Sequence, residues 1–115
     1  MSQAFDEQEL LERVDNDTEF LAETVQMLSD DGPGLMRDIR KSLAAGDADG
    51  VARAAHALKG MISNFCATAA QGSAQDVEKH AKSGGLPAAA EAAEGLDARL
   101  QELIAELKEF VAARA

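Results

Sequence analysis

The side chain best suited to chemistry in this sequence is His56, followed by Lys59 at i+3 and Gly60 at i+4. Residues 48–65 read as a helix, because Val51, Ala54, Ala55, Leu58, Met61, Ile62 and Phe65 gather on one broad side at about 100° per residue. His56 lies nearly opposite that side, and its helical neighbours are Ala52, Lys59, Gly60 and Ser63. The imidazole should therefore stand in solvent, among small residues and one flexible cation. An exposed imidazole offers an unprotonated nitrogen for attack near neutral pH. An anion attached to that ring would meet the Lys59 ammonium. Gly60 costs about 0.5–1 kcal/mol relative to Ala in a helix interior, and it serves no cap here. What it does is remove bulk one turn from His56, which suits a phosphoryl carrier that must enter another protein's active site.

The same residues argue against autonomous catalysis. There is no Gly-rich nucleotide loop and no Mg-binding constellation. No carboxylate is positioned to orient His56; Asp49 shares its face but lies about two turns away. Cys66 is ten residues from His56 and near a helix end, a poor place for a cysteine–histidine nucleophile. It reads as a small packed residue. Two His and one Cys do not make a zinc set, so neither a metal nor a cofactor is expected in this chain. His80 falls at the edge of its helix's apolar side and reads as a boundary or surface residue.

Composition narrows the setting. The 115 residues carry 21 acidic and 11 basic side chains, a formal charge of -10, which argues against binding nucleic acid or an anionic membrane. One Cys excludes an internal disulfide. No basic, apolar leader precedes Asp6 and no apolar run reaches the roughly 18 residues of a membrane span, so a soluble, cytoplasmic domain is expected. The charge is uneven. Residues 1–34 hold ten acidic and one basic side chain, whereas residues 35–65 hold five basic and three acidic. The helix carrying His56 is the least acidic part, an arrangement that could orient an acidic partner pocket.

Abundant Ala, Leu and Glu, with two prolines, favour helices throughout. A first helix is predicted over 7–14, with Asp6 as N-cap, Glu9 at N3 and a Phe5–Leu10 staple. Asp15-Asn16-Asp17 separates it from a second over 17–31, whose one side is Phe20, Leu21, Thr24, Val25 and Leu28. Gly32-Pro33-Gly34 stops or bends that helix, and residues 34–45 continue with Leu35, Ile39 and Leu43 as a stripe. After the helix over 48–65, Thr68 and Gln71 suggest a capping box opening a helix over 69–83. Pro87 fits the first turn of a last helix, 87–113, with Leu96, Leu100, Leu103, Leu107 and Phe110 as its seam. The expected fold is all-α, an antiparallel four-helix bundle with a short additional N-terminal helix, residues 17–45 acting as one bent unit.

The run Ala55-His56-Ala57-Leu58-Lys59-Gly60, followed by Met61-Ile62-Ser63-Asn64-Phe65-Cys66-Ala67 and preceded by Leu43-x-x-Gly46-Asp47, resembles the histidine-containing phosphotransfer (HPt) domains of two-component phosphorelays. The resemblance spans nearly the whole chain and implies a single domain over 1–115. It implies that His56 accepts a phosphoryl group from a receiver-domain aspartate and passes it to another receiver, without kinase activity of its own. Lys59 would help hold the phosphoryl oxygens. Gly60, with Ala52, Ser63 and Asn64, would give the partner access. The implied partners are response-regulator receiver domains or a hybrid histidine kinase, with Mg2+ on the receiver, and the domain is expected to be monomeric. Many members have Gly where this chain has Cys66 and a larger aliphatic residue where it has Ala70; Gln71-Gly72-Ser73-Ala74 is small and polar for a core-facing stretch. A helical adaptor that binds a receiver or histidine kinase through the same face, without phosphorylation, is the rival reading.

Overall fold

The computed structural model describes residues 4–114. Its helices are α1 (Glu7–Arg13), α2 (Thr18–Ala44), α3 (Ala48–Ile62), α4 (Thr68–Lys82) and α5 (Leu86–Ala112), with a 3-10 turn over Ser63–Phe65. α2 packs on α3 and α5, and α4 packs on the same two helices, so α2 and α4 occupy opposite corners. The short connections make sequential helices antiparallel. α5 also runs antiparallel to α2: Leu100 meets Gly32, while Arg40 pairs at 2.7 Å with both Glu94 and Asp97. This is the expected four-helix bundle with a short N-terminal helix.

Local chemistry explains most of the helix starts. The Asp6 carboxylate accepts from the Glu9 N–H, Asp17 from that of Phe20, and Asp47 from that of Gly50, each satisfying an orphan donor. Gly50 is required by closeness: a Cβ there would meet Asp47 and Ser42 side-chain oxygens at 2.5 Å. Between α2 and α3, Gly46 turns the chain at φ 69°. α4 departs from expectation. Thr68 is its first helical residue, Ala67 occupies the cap position, and no side chain caps the helix. The cause is the preceding reversal: Cys66 takes a left-handed conformation (φ 55°, ψ 40°), which leaves the non-helical cap geometry to Ala67, buried in the core.

Gly32-Pro33-Gly34 does not stop α2, which continues as one helix through Pro33. Pro33 has no N–H to donate to the Ser29 carbonyl, a local loss of about 3 kcal/mol that packing must offset. Gly32 is buried beneath Leu100, close to the middle of the core. The seam of α5 is buried throughout, with Leu96, Leu100, Leu103, Leu107 and Phe110 all inside. Each fully buried leucine contributes about 1.5–3 kcal/mol. Phe5 meets Phe110 edge-on, with ring centroids 5.2 Å apart, and the Asp6 N–H donates to the Cys66 carbonyl; together these hold α1 on the bundle.

Two sequence expectations about α2 need correction. Phe20 was expected beside Leu21 and Val25, yet it is 51% exposed because Leu21, Val25, Leu28, Gly32, Met36 and Ile39 set a core direction about 100° away from it. In the second half of α2, Met36 and Ile39 are buried, whereas Leu35 and Leu43 are only partly covered. α4 packs through small side chains, Ala70, Ala74, Val77 and Ala81. These alanines let α4 lie close against α3, and that closeness builds the site.

Candidate functional site

α3 carries its apolar side, Val51, Ala54, Ala55, Leu58 and Ile62, into the core and leaves His56 on the outside. The His56 side chain is 67% exposed. Gly60 adds nothing over it: no atom lies within 4 Å of where a Cβ would be. Asn64 is exposed and Ser63 half-buried, its hydroxyl donating to the Gly60 carbonyl at 2.6 Å. Arg13 reaches from α1 to donate to the Ser63 carbonyl at 2.7 Å, fixing the end of the helix. Ala52 differs from its neighbours on the wheel. It is buried, 8% exposed, because α4 packs over that flank of α3.

α4 also supplies the residue that sequence reasoning missed. Glu78 is a buried carboxylate, 8% exposed at its side chain, and it faces His56. Its Oε2 lies 3.0 Å from His56 Nδ1, and its Oε1 accepts from Lys59 Nζ at 2.9 Å. Lys82, one turn further along α4, brings its ammonium to 3.0 Å from Oε2. Asp49, the carboxylate nearest in sequence logic, stays exposed in the first turn of α3. A signal for Glu78 did exist. It sits four residues after Ala74, three before Ala81 and next to Val77, so it falls on the buried stripe of α4. A carboxylate there needs a cation or donor from a facing helix.

The electrostatics follow from this contact set. Hydrogen bonding from Lys59 is the main influence that draws the Glu78 carboxyl down to about 2, with Lys82 adding to it against the opposing cost of burial. Glu78 is therefore ionised at neutral pH and can only accept hydrogen bonds. The facing His56 Nδ1 must carry the proton, and the lone pair of the neutral ring is then on Nε2. The second departure from the sequence reading concerns Lys59. Its side chain is 24% exposed and held by Glu78, where a free, flexible cation was expected.

Beside the imidazole is an open depression of about 450 Å³ lined by Ala52, Arg53, His56, Glu78 and Lys82. Basic side chains thus border the ring from both helices. The arrangement offers a ring nitrogen, Nε2, turned away from Glu78, an anion that can stabilise positive charge on the ring, and cations for an incoming anionic group. His80 is exposed and faces away from this set, in the last turn of α4. Cys66 is half-buried, and burial pushes its thiol up, away from the reactive thiolate. Among the described residues no group of three or more His, Cys, Asp and Glu side chains is placed to hold a metal ion, and no helix is long and apolar enough to cross a membrane.

Comparison with curated proteins and with solved structures returned no match. The family model of the Hpt domain matches residues 23–110, which include α3, α4 and the whole His56–Glu78 cluster. With the match extending over most of its length, the chain belongs to the Hpt domain family, the carriers of phosphorelays.

Proposed function

We propose that His56 is the phosphoacceptor of this carrier, taking a phosphoryl group from a receiver aspartate on Nε2 and passing it to a second receiver. The observation that carries the reading is the contact between His56 Nδ1 and the ionised Glu78, which directs the ring's lone pair to Nε2. Nε2 attacks the aspartyl phosphate in line. The Nε2–P bond forms as the P–O bond breaks, and the aspartate carboxylate leaves with the electron pair. Positive charge then resides on the ring, where the Nδ1–H bond to Glu78 stabilises it. Attack by the second aspartate reverses these events.

Lys59 has two tasks in this account. It holds the Glu78 carboxylate in place and draws its pKa further down, and from one turn away on α3 it approaches the phosphoryl oxygens. Gly60 leaves room for the receiver, with Ser63 and Asn64 beside it on the open surface, while Ala52, covered by α4, lines the floor of the depression. Catalytic Mg2+ belongs to the receiver, which also supplies the positioning, and a hybrid histidine kinase is a further fitting partner. Nothing in this chain needs to cleave a nucleotide. The residues act as one carrier module.

The test is to mix the domain with a phosphorylated receiver and follow intact mass. The parent should gain one phosphoryl group, and His56→Gln should gain none while retaining its helical signal. Undiminished receiver binding by His56→Gln, together with no transfer to the parent, would assign the chain to the adaptor class instead.

A further inference from the structure

The first half of α2 carries a second surface that the phosphoryl chemistry does not use. Among the described residues, Phe20 and Met27 are the large apolar side chains left in solvent, 51% and 58% exposed. Seven residues apart on a helix, they fall within about 20° of the same direction. Glu23 and Asp31 share that solvent face, with Glu19 and Asp30 at its border. None of the ion pairs among the described residues involves these four carboxylates. Arg13, the basic residue of the first 34, is turned to Glu9 and the Ser63 carbonyl.

We propose that this face docks a basic amphipathic helix of a partner protein. Two apolar anchors one heptad apart match the i, i+3/i+4, i+7 spacing of an apolar helix face. The carboxylates around them, outside every ion pair among the described residues though Asp30 accepts from the Gln26 side-chain amide at 2.9 Å, select Lys or Arg at the partner's flanks. The same charge disfavours the other occupants: a second copy would set acidic face on acidic face, and nucleic acid or anionic lipid would be repelled. Since α2 and α3 are antiparallel, Met27 and Phe20 lie about 14 and 24 Å further along the bundle than His56, at 1.5 Å per residue. A partner held there leaves His56 free to meet a receiver. The inference does not depend on the role assigned to His56.

The experiment titrates the full chain with a helical Leu/Lys peptide of about 18 residues, its leucines at i, i+3, i+4 and i+7, and follows backbone amide NMR shifts. Shifts confined to α1 and the first half of α2 are expected. Phe20→Ser with Met27→Ser should weaken binding by about tenfold or more. Glu23→Lys with Asp31→Lys should weaken it comparably, and more so at low salt. All four positions are exposed, so the variants should keep the parent's circular dichroism. Parent-like affinity in the Phe20/Met27 variant would overturn the proposal, as would equal binding of a Leu/Glu peptide or shifts centred on His56. Concentration-dependent dimerisation abolished by the same variant would give the face to a second copy and overturn it too.

Discussion

Replacing Glu78 by Gln removes one charge from the centre of the site while keeping the side chain's size, and its consequences can be worked from the contacts. The carboxyl lies at about 2 against an ordinary 4.5, so its charged form is favoured in the folded state. At about 1.36 kcal/mol per pH unit this bounds the stabilisation near 3 kcal/mol. Lys82 is about two-thirds exposed, and solvent screens its share, which leaves a loss on the order of 1–2 kcal/mol. The sign with pH is set by the lowered value. The contribution is present above about 4.5 and is lost as pH falls through about 2, so parent and variant should converge in stability across that window. On the kinetic side, a neutral amide holds a charged ring less well than a carboxylate does. The difference between a charged and a neutral hydrogen bond is about 1–1.5 kcal/mol, or roughly tenfold in rate. Urea titration at pH 7 and at pH 3, with rapid-quench transfer from a phosphorylated receiver, measures both effects. A Glu78→Gln domain as stable as the parent at pH 7 and transferring at the parent's rate would refute the reasoning.

Substitutions at three other positions separate further contributions. Lys59→Ala should raise the Glu78 carboxyl toward its ordinary value, seen by side-chain carbon NMR, and shorten the life of the phosphohistidine severalfold; an unchanged lifetime would remove Lys59 from the phosphoryl contact. Gly60→Ala should stabilise the domain by about 0.5–1 kcal/mol, since space exists for the methyl group, whereas Gly60→Leu should slow transfer by obstructing the receiver; thermal melts and transfer assays read the two effects. Cys66→Gly should raise stability by about 1 kcal/mol by relieving the left-handed backbone, and a drop in the melting midpoint would show that the thiol's packing matters more.

What could be read from the sequence was what depends on neighbours within a turn or two. The Asp6 cap, the α5 seam from Leu96 to Phe110 and the outward direction of His56 each follow from spacing along one helix. Glu78 did not follow, because its meaning depends on the register of α4 against α3, 22 residues away in sequence from His56. Once that register is known, a carboxylate on the alanine stripe becomes the anchor of the site. The Thr68 cap was misread for a related reason. A hydroxyl three residues before a glutamine looks like a cap, but the left-handed turn at Cys66 had already fixed where the helix begins. Gly32-Pro33-Gly34 leaves a stop and a bend both open, and α2 runs through it as one helix with Gly32 buried against Leu100. The short stretch from Phe20 to Leu28 groups Phe20 with Leu21, Thr24, Val25 and Leu28 on one side, and only the direction set by the whole of α2 places it in solvent. The family's frequent Gly at the Cys66 position gains a physical reason from the left-handed backbone there.

The central claim is that Glu78 holds Nδ1 so that Nε2 of His56 receives the phosphoryl group. It is tested most directly by nitrogen NMR of the domain labelled in its histidine rings, phosphorylated by a receiver. The account predicts phosphorus coupled to Nε2 of His56, with Nδ1 still protonated toward Glu78. Phosphorus on Nδ1, or on His80 with His56 unmodified, would contradict it.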